Sequence, residues 1–514
     1  MSPTPILLCT LNSTFQHSAF GLRYLLANLG PLQSQAKLLE WTIKENPRTI
    51  VEKILQLNPR IVGFSIYIWN TDETLEVLMI LKKVAPQIVV VLGGPEISYE
   101  TETQAHLKWC DYVIKGEADF SFRQFCEKLL LEDERPPGQI IAAELPEIKK
   151  IALPYDLYSD EDIKNRVIYV EASRGCPYKC EYCLSSLDKS VRNFDIDHFL
   201  LAMKKLMDRG ARTFKFVDRT FNLSPTTSTR ILKFFLEHLE LGLFLHFELV
   251  PDRLPLEIRD LIKQFPAGSL QFEVGIQTLN PQVAQNVSRK NDLAKVAENF
   301  TYLREHTHVH THADLIVGLP GESLESFAMG FDQLAAMGPD EIQVGILKRL
   351  KGTPIARHEK TYALVYSDVT PYQILTTSTM DYLTLQKMNR FAKFWDLYAN
   401  SGEFKNLMTW FKASLSVGDS YFWKFFSFSE FLSLRFSEIH SISLMNLAEK
   451  AWLYLQEQGV SQLEASEIIE KDFCYGTKRR DKPNFMKSAL QASIPLHDLT
   501  RKNSLTARQQ KHLN

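Results

Sequence analysis

The N-terminal third of the chain alternates short apolar runs with stretches of helical spacing. Four runs have the length and composition of buried strands, and they are Ile6–Thr10, Ile61–Tyr67, Ile88–Leu92 and Tyr112–Lys115. The amphipathic stretch Ala19–Leu29 predicts a helix after the first strand. Strands that alternate with helices in this way indicate a parallel sheet covered on both faces. We therefore predict a doubly wound, Rossmann-like α/β domain over residues 1–135.

Small or polar residues follow each of these strands, in the positions Asn12, Ser65, Gly93-Gly94 and Gly116-Glu117. Ligands of open α/β sheets bind beyond the carboxyl ends of the strands, so the pattern favours a ligand crevice there. The alternative, that these glycines only form tight turns between strand and helix, stays open. The chain has no Gly-x-Gly-x-x-Gly run and no phosphate-loop lysine, which disfavours a nucleotide cofactor.

The middle of the chain repeats the strand-and-helix pattern after a Pro- and Gly-containing linker at residues 136–165. Between residues 166 and 360, six strand-like segments recur at the spacing of βα units. They are Val167–Glu171, Thr213–Val217, Phe244–Leu249, Leu270–Ile276, Ala313–Val317 and Glu341–Ile346. Six such units predict a partial (βα)6 barrel resembling a TIM barrel, with its active site at the carboxyl ends of the strands.

Three cysteines, Cys176, Cys180 and Cys183, lie in the run Ser-Arg-Gly-Cys-Pro-Tyr-Lys-Cys-Glu-Tyr-Cys directly after the first barrel strand. Three thiolates can hold a four-iron cluster and leave one iron open for a substrate, whereas ordinary cluster runs supply four. A zinc site also needs a fourth ligand, and the next histidine is the more distant His198. The spacing favours an iron–sulfur cluster over a zinc site or three unrelated buried cysteines.

The C-terminal third reads as helical and rich in aromatic residues, with amphipathic spacing at Met380–Leu397 and Ser443–Gln458. We predict a mostly helical domain at residues 361–477 and a basic, partly disordered tail at 478–514. The aromatic run Tyr421–Phe426 predicts core packing, with a barrel cap or a cavity lining as the alternatives. The tail lacks stacking motifs, so nucleic acid binding is not expected.

Composition is that of an ordinary globular protein, with 45% hydrophobic and 23% charged residues and a formal net charge of −2. This charge disfavours a general attraction to nucleic acid or anionic membranes. Seven cysteines, four of them scattered singly, do not form a disulfide framework and fit a reducing compartment. No signal peptide and no apolar run of membrane-spanning length is present, so we expect a cytoplasmic protein without a membrane partner.

The cysteine run resembles the signature of the radical S-adenosylmethionine (SAM) enzymes, Cys-x-x-x-Cys-x-aromatic-Cys, with Tyr182 in the aromatic position. The resemblance implies that SAM chelates the open iron of a 4Fe-4S cluster. It also implies that the reduced cluster cleaves SAM to a deoxyadenosyl radical, with flavodoxin or ferredoxin as the reductant. By position at the barrel strand ends, the residues expected at SAM are Tyr182, Asp218, Glu248, Glu273, Gln277, Ile316 and Gly318. For the carboxylates among them, a salt bridge at the barrel rim is the alternative.

The N-terminal domain resembles the cobalamin-binding domain found ahead of some radical SAM barrels. The resemblance places Asn12, Ser65, Gly93, Gly94, Gly116 and Glu117 at cobalamin, with the serine and the glycine pair beside its nucleotide tail. The usual Asp-x-His-x-x-Gly motif is absent, and His17 stands in a loop with different spacing. We expect His17 to be a loop histidine near the interdomain cleft rather than a cobalt ligand.

The resemblance predicts a cobalamin-dependent radical SAM enzyme of an uncharacterised subgroup, acting on a small molecule or a peptide. Methyl transfer to an unactivated carbon is the principal hypothesis. A rearrangement or ring closure without methyl transfer is the first alternative. An electron-transfer or sensing protein whose cluster does no SAM chemistry is the second.

Overall fold

A computed structural model describes residues 4–436, 441–474, 483 and 485. The chain divides into two compact units. The first comprises Met1–Gln271, Lys348–Arg357 and Tyr366–Gln373, and the second comprises Phe272–Leu347, His358–Val365 and Ile374–Asn514. Apart from residues 483 and 485, the tail predicted at 478–514 lies outside the described residues. None of the helices in the described ranges is long and apolar enough to cross a membrane.

The strands, in chain order, are β1 (Ile6–Asn12), β2 (Ala36–Thr42), β3 (Ile61–Ser65), β4 (Val89–Gly93), β5 (Tyr112–Lys115), β6 (Ile140–Ala142), β7 (Ile168–Val170), β8 (Ser173–Arg174), β9 (Arg192–Asn193), β10 (Thr213–Phe216), β11 (Phe244–Leu249), β12 (Leu270–Gln277), β13 (His310–Val317), β14 (Glu341–Ile346), β15 (Val365–Tyr366) and β16 (Ile374–Thr376). The α-helices are α1 (Phe20–Ala27), α2 (Pro47–Leu55), α3 (Thr71–Val84), α4 (Ser121–Leu131), α5 (Asp160–Asn165), α6 (Ile196–Asp208), α7 (Pro225–Leu236), α8 (Leu256–Ile262), α9 (Pro281–Asn286), α10 (Leu293–His306), α11 (Leu324–Met337), α12 (Tyr382–Trp395), α13 (Lys405–Ala413), α14 (Tyr421–Ser433), α15 (Leu444–Glu457) and α16 (Gln462–Phe473).

The first unit begins with a six-stranded parallel sheet in the order β2-β1-β3-β4-β5-β6. Apolar side chains of α2 and α3 pack on one face, and those of α1 and α4 pack on the other. The predicted doubly wound domain is thereby confirmed. In this strand order the direction of winding reverses between β1 and β3, which is where such sheets bind their ligands.

Two strands of this sheet were missed by the sequence prediction. β2 lies at an edge and is half-buried along its length, so it lacks the continuous apolar run that marks a central strand. β6 is only three residues long and pairs with β5 from within the segment predicted as a linker, residues 136–165. That segment also contains α5, which starts in a capping box formed by Ser159 and Asp162.

All six barrel strands predicted from the sequence are present, as β7, β10, β11, β12, β13 and β14. In the first unit β10 lies between β7 and β11 and runs parallel to both. In the second unit the order is β14-β13-β12, and β13 runs parallel to β14 with Ile316 opposite Gly345. Parallel strands with intervening helices confirm the predicted α/β class.

The C-terminal region of the second unit is helical, as predicted, and its aromatic residues form a core. Phe422, Phe425 and Phe428 on α14 are completely buried. Phe391 of α12 lies with its ring centroid 4.8 Å from that of Phe422 and 5.4 Å from that of Phe425. Most of the aromatic run therefore packs as core, which was the preferred interpretation of its sequence, whereas Trp423 is 38% exposed.

Candidate functional site

The carboxyl ends of β1, β3 and β4 bring three of the residues predicted at cobalamin to one edge of the sheet. Ser65 ends β3 directly opposite Gly93 of β4, and Asn12 ends the neighbouring β1. Ser65 is buried, and within the described part of the chain its hydroxyl has no hydrogen-bond partner. A buried hydroxyl left unpaired costs about 1–3 kcal/mol. A polar ligand atom at this edge, such as one in the nucleotide tail of cobalamin, would form a hydrogen bond with the Ser65 hydroxyl.

Gly94 occupies a backbone position that requires glycine. Its φ is +104°, and a Cβ would come within 2.6 Å of the carbonyl oxygen of Ile66. The chain therefore turns tightly after β4 and exposes its backbone at the same edge as Ser65. Gly93 is less constrained, since its Cβ would meet the carbonyl oxygen of Ile114 at 3.5 Å, an ordinary contact distance. Serine hydroxyl and bare backbone together fit the predicted cobalamin-binding edge.

Asn12 and His17 are held by contacts within the protein. The Asn12 amide donates to the carbonyl oxygen of His17 at 2.8 Å and to Glu40 Oε1 at 3.1 Å. His17 Nδ1 lies 2.6 Å from the hydroxyl of Tyr169 on β7, the first barrel strand. Burial and the nearby charge of Lys215 lower the pKa of His17. The structure thus places His17 in a loop against the barrel, where the sequence analysis expected it.

An aromatic pair beyond β3 was missed by the sequence analysis. The rings of Tyr67 and Trp69 stack with centroids 4.4 Å apart, and Trp69 is 43% exposed. Buried Asn70 holds this turn, because its amide donates to the carbonyl oxygens of Leu11 and Ser65. A flat apolar surface therefore lies next to the Ser65 edge. The tryptophan at a strand end was the available signal, but single aromatic residues are common on protein surfaces.

The cysteine loop leaves β8 and returns through β9, which pairs antiparallel with it. Gly175 lets the loop begin, since its φ is +91° and a Cβ would come within 2.0 Å of the carbonyl oxygen of Ser190. Cys180 is buried, while Cys176 and Cys183 are half-buried. Burial raises the pKa of the Cys176 thiol, and the other two cysteines raise it further.

The three thiols lie on one loop. Within the described ranges, no three ligand-type side chains are gathered closely enough to hold a metal ion. The donor set nevertheless fits an iron–sulfur cluster, because it offers three thiolates on a loop closed at its base by β8 and β9. The assignment of these cysteines as cluster ligands stays a prediction.

Asp218, whose contact with SAM stays a prediction, contacts the start of the cysteine loop. Its Oδ2 accepts from the backbone N–H of Ala172 at 3.0 Å, and its Oδ1 accepts from the Ser173 hydroxyl at 2.6 Å. Burial raises the pKa of this carboxyl to about 7. These contacts make Asp218 a positioning residue for the loop, a role the sequence analysis did not foresee.

Glu248 forms the rim ion pair that the sequence analysis kept as an alternative. Its two carboxylate oxygens lie 3.0 and 3.1 Å from Nη1 of Arg219, which follows Asp218. Tyr182 is half-buried between Cys180 and Cys183. The roles of Glu248 and Tyr182 at SAM stay predictions.

Arg174 joins the cysteine loop to the end of β5. It donates from Nε to Glu171 at 2.8 Å, and from Nη1 to Glu117 at 2.8 Å and to Asp119 at 2.9 Å. Arg192, on β9, also pairs with Glu117. Glu117 therefore binds the cysteine loop through two arginines. It also follows Gly116 at the predicted cobalamin edge.

The remaining residues predicted at SAM, Glu273, Gln277, Ile316 and Gly318, lie in the second unit. Glu273 and Gln277 occupy alternate, half-buried positions of β12, and Gly318 follows the end of β13. Ile316 is on the half-buried face of β13, which also carries His312 and Asp314. Alternation along both strands therefore sorts these residues onto faces that are not packed in the core.

A histidine–carboxylate cluster on β13 and β14 was missed by the sequence analysis. His310 Nε2 lies 2.9 Å from Glu341 Oε1, and His312 Nε2 lies 3.4 Å from Asp314 Oδ1. Burial lowers the pKa of His312, but Asp314, Glu341 and Glu273 outweigh it, and the pKa is raised. The alternation of histidines in the run His308–Asp314 was the signal that could have revealed it.

Comparison with known protein families divides the chain into three matched regions. The B12-binding domain model matches residues 7–125, and the radical SAM superfamily model matches residues 170–334. A protein family of unknown function, DUF4080, matches residues 360–511. The first two matches fall in the regions where the sequence analysis placed the cobalamin-binding and radical SAM resemblances.

Curated relatives match about three-fifths of the chain at low identity. An uncharacterised methyltransferase of Pyrococcus horikoshii is 23% identical over 336 residues, which cover 59% of this chain and 70% of that protein. The 2-(S-pantetheinyl)-carbapenam-3-carboxylate methyltransferase of Streptantibioticus cattleyicolor is 24% identical over 347 residues. That match covers 59% of this chain and 49% of the enzyme, so the chain spans about half of its length.

A solved structure supports the fold. The radical SAM methyltransferase TsrM from Kitasatospora setae, with tryptophan and a SAM analogue bound, has a TM-score of 0.59 at 15% sequence identity. The likeness covers 72% of this chain and 79% of that one. At this identity the comparison supports the fold alone.

Proposed function

We propose that this chain, which belongs to the radical SAM proteins with a B12-binding domain, is an enzyme that transfers a methyl group to an unactivated carbon atom. Its cofactors are a 4Fe-4S cluster, SAM and cobalamin, as the family matches indicate. Methyl transfer is supported by the methyltransferases among its relatives.

The observation that carries the proposal is that both predicted cofactor sites lie in one compact unit and are joined by buried charges. The edge formed by Ser65 and Gly94 and the loop of Cys176 both belong to the first unit. Arg174, two residues before Cys176, pairs with Glu117 and Asp119 after β5. A redox module needs only its ligands and a shielded path, so this second, ligand-ready edge favours an enzyme with two cofactors.

Each group of residues then has a distinct task. When bound, the cluster supplies the electron that cleaves SAM to a deoxyadenosyl radical, and cobalamin supplies the methyl group that is transferred. Cys176, Cys180 and Cys183 would hold three irons, and the Ser65 hydroxyl and the backbone at Gly94 would hold the nucleotide tail of cobalamin. Asp218 orders the start of the cysteine loop through Ala172 and Ser173. The protein also excludes water from the reacting atoms.

The partners belong to the same proposal. We propose a small-molecule or peptide substrate, a flavodoxin or ferredoxin as electron donor, and a cytoplasmic location, with no membrane or nucleic acid partner. The half-buried polar face of β12 and β13 supports a polar substrate or SAM contact in the second unit.

The first test is anaerobic purification and reconstitution, followed by analysis of iron, sulfide and corrinoid. We expect about four irons per chain, together with bound corrinoid, and loss of the iron in a Cys176/Cys180/Cys183→Ala variant. The matched control is Cys474→Ala, which changes an exposed cysteine outside the loop. An iron content that the triple substitution leaves unchanged would refute the cluster assignment.

The second test analyses the products formed from SAM under reducing conditions. Deoxyadenosine would exclude an electron-transfer or sensing protein without SAM chemistry. Accumulation of S-adenosylhomocysteine, as cobalamin is remethylated, would support methyl transfer. Deoxyadenosine with a converted substrate and no S-adenosylhomocysteine would favour a rearrangement or ring closure.

A further inference from the structure

A short segment that follows β14, residues 349–357, contacts both cofactor loops of the first unit. We call it the bridging segment. It belongs to the first unit, whereas the residues on either side of 348–357 belong to the second. The two loops it contacts are far apart in sequence. One is the turn after β4, which contains Gly94, and the other is the cysteine loop.

At the turn after β4, the bridging segment provides a buried cation. Lys351 Nζ lies 2.8 Å from Glu96 Oε1, and the side chains of Lys351 and Glu96 are 16% and 4% exposed. The hydroxyl of Tyr372 donates to the same Glu96 oxygen at 2.8 Å. Glu96 comes two residues after Gly94, so this pair fixes the turn whose backbone forms the predicted cobalamin edge.

A second ion pair follows along the same turn. Arg349 Nη1 lies 3.0 Å from Glu100 Oε2, with both side chains about one-third exposed. Exposed pairs of this kind contribute about 0.2–1 kcal/mol. The buried Lys351–Glu96 pair is therefore the main contact on the cobalamin side, since removing one partner leaves a buried charge.

At the cysteine loop, the bridging segment binds the residue between two of the predicted cluster ligands. Glu181 follows Cys180 directly, and its side chain is only 4% exposed. Its carboxylate pairs with Arg357, whose own side chain is 61% exposed, and its carbonyl oxygen accepts from the backbone N–H of Ile355 at 3.0 Å. Side chain and backbone of Glu181 are thus both held by the bridging segment.

We propose that the bridging segment couples the two cofactor sites, with Lys351 and Arg357 as positioning residues. Only six positions separate them, so the turn after β4 and the cysteine loop are held by one short stretch of chain. When either cofactor orders its own loop, the other loop is ordered through this stretch. The inference rests on the proposed function, because it assumes that cobalamin and the cluster occupy these two loops.

Coupling between two binding sites is reciprocal, so it can be measured from one of them. The quantity is the ratio of the dissociation constants of hydroxocobalamin for cluster-free and for reconstituted protein, obtained by absorbance titration without turnover. We expect the cluster to tighten hydroxocobalamin binding about fivefold or more in the wild-type chain. In Lys351→Met and in Arg357→Met we expect this ratio to fall towards one.

Two further variants keep the test interpretable. Lys348→Met changes an exposed lysine next to the segment and should keep the wild-type ratio. Glu181→Gln retains the backbone acceptor and loses only the charge, so it should fold normally and still reduce the ratio.

The outcomes separate the inference from the function on which it rests. A wild-type ratio near one, or a full ratio in Lys351→Met and Arg357→Met, would overturn the coupling while leaving both cofactors in place. Failure of the wild-type chain to bind hydroxocobalamin would overturn the proposed function itself, and the coupling with it.

Discussion

Replacement of Arg174 by methionine should destabilise the first unit at the junction between the cysteine loop and the end of β5. The side chain is only 13% exposed, and its three carboxylate partners, Glu117, Asp119 and Glu171, are 25%, 5% and 10% exposed. Methionine retains much of the apolar stem and removes the guanidinium. The substitution therefore removes the cation shared by Asp119 and Glu171 in a poorly solvated place and leaves Glu117 paired with Arg192.

The magnitude follows from the burial of the partners. Removing one member of a buried ion pair costs about 3–5 kcal/mol, whereas an exposed pair contributes about 0.2–1 kcal/mol. Burial already raises the pKa of Glu171, and Arg174 acts to lower it. Without Arg174 this pKa should rise further, so a protonated Glu171 would relieve part of the loss. Since a raised carboxyl pKa lowers stability as pH increases, the deficit of Arg174→Met should be larger at pH 8 than at pH 5.5.

Hydrogen exchange read by mass spectrometry can locate this effect in cofactor-free protein. We expect exchange faster than in the wild type in peptides covering residues 112–120 and 168–194, and unchanged exchange in the second unit. Arg230→Met is the matched control, because the Arg230–Asp197 pair is exposed and its loss should cost less than about 1 kcal/mol. Equal exchange in Arg174→Met and Arg230→Met, at both pH values, would refute the reasoning.

Three further predictions concern single positions. Gly94→Ala should strain the turn after β4 by about 1–3 kcal/mol and weaken hydroxocobalamin binding in a titration, because its Cβ would clash with Ile66, whereas Gly93→Ala should bind normally. Glu322→Gln should flatten the pH dependence of stability, because burial raises the pKa of Glu322 to about 7. The wild type should then lose about 2 kcal/mol of unfolding free energy between pH 5.5 and 8. An equal loss in both proteins, measured by denaturation at the two pH values, would contradict this. His312→Gln should show the opposite pH dependence. A raised histidine pKa stabilises the folded state at low pH, and this stabilisation is lost as pH rises. The difference in melting temperature between the variant and the wild type should therefore shrink towards pH 8.

The fold could be predicted from the sequence because its main signals are local. All six barrel strands were placed within a few residues of their observed bounds. The C-terminal region was also predicted to be helical. Each has an apolar period that is legible within a short window. Of the strands that the prediction missed, β2 and β6 are edge strands whose mostly half-buried side chains give no such period, and β8, β9, β15 and β16 are only two or three residues long.

The candidate site could be predicted only in part, and the reason is physical. Positions at strand ends, such as Ser65 and Gly94, follow from the topology of a parallel sheet. What Asp218 and Glu117 contact does not follow, because a carboxylate at a strand end can meet any donor brought to it by tertiary packing. Asp218 is bound by the loop after β7, and Glu117 by arginines more than fifty positions away.

The contacts that escaped prediction share a property that bears on function. Arg174, and Lys351 of the bridging segment, link loops of different βα units by largely buried ion pairs rather than by apolar packing. A buried ion pair contributes little net stability compared with apolar residues of similar volume, but removing one partner is costly. Such pairs therefore tolerate few alternative arrangements of the loops they join. Under the proposed function, the two loops present their cofactors to one substrate and need a fixed relative position more than extra stability, which ion pairs of this kind supply.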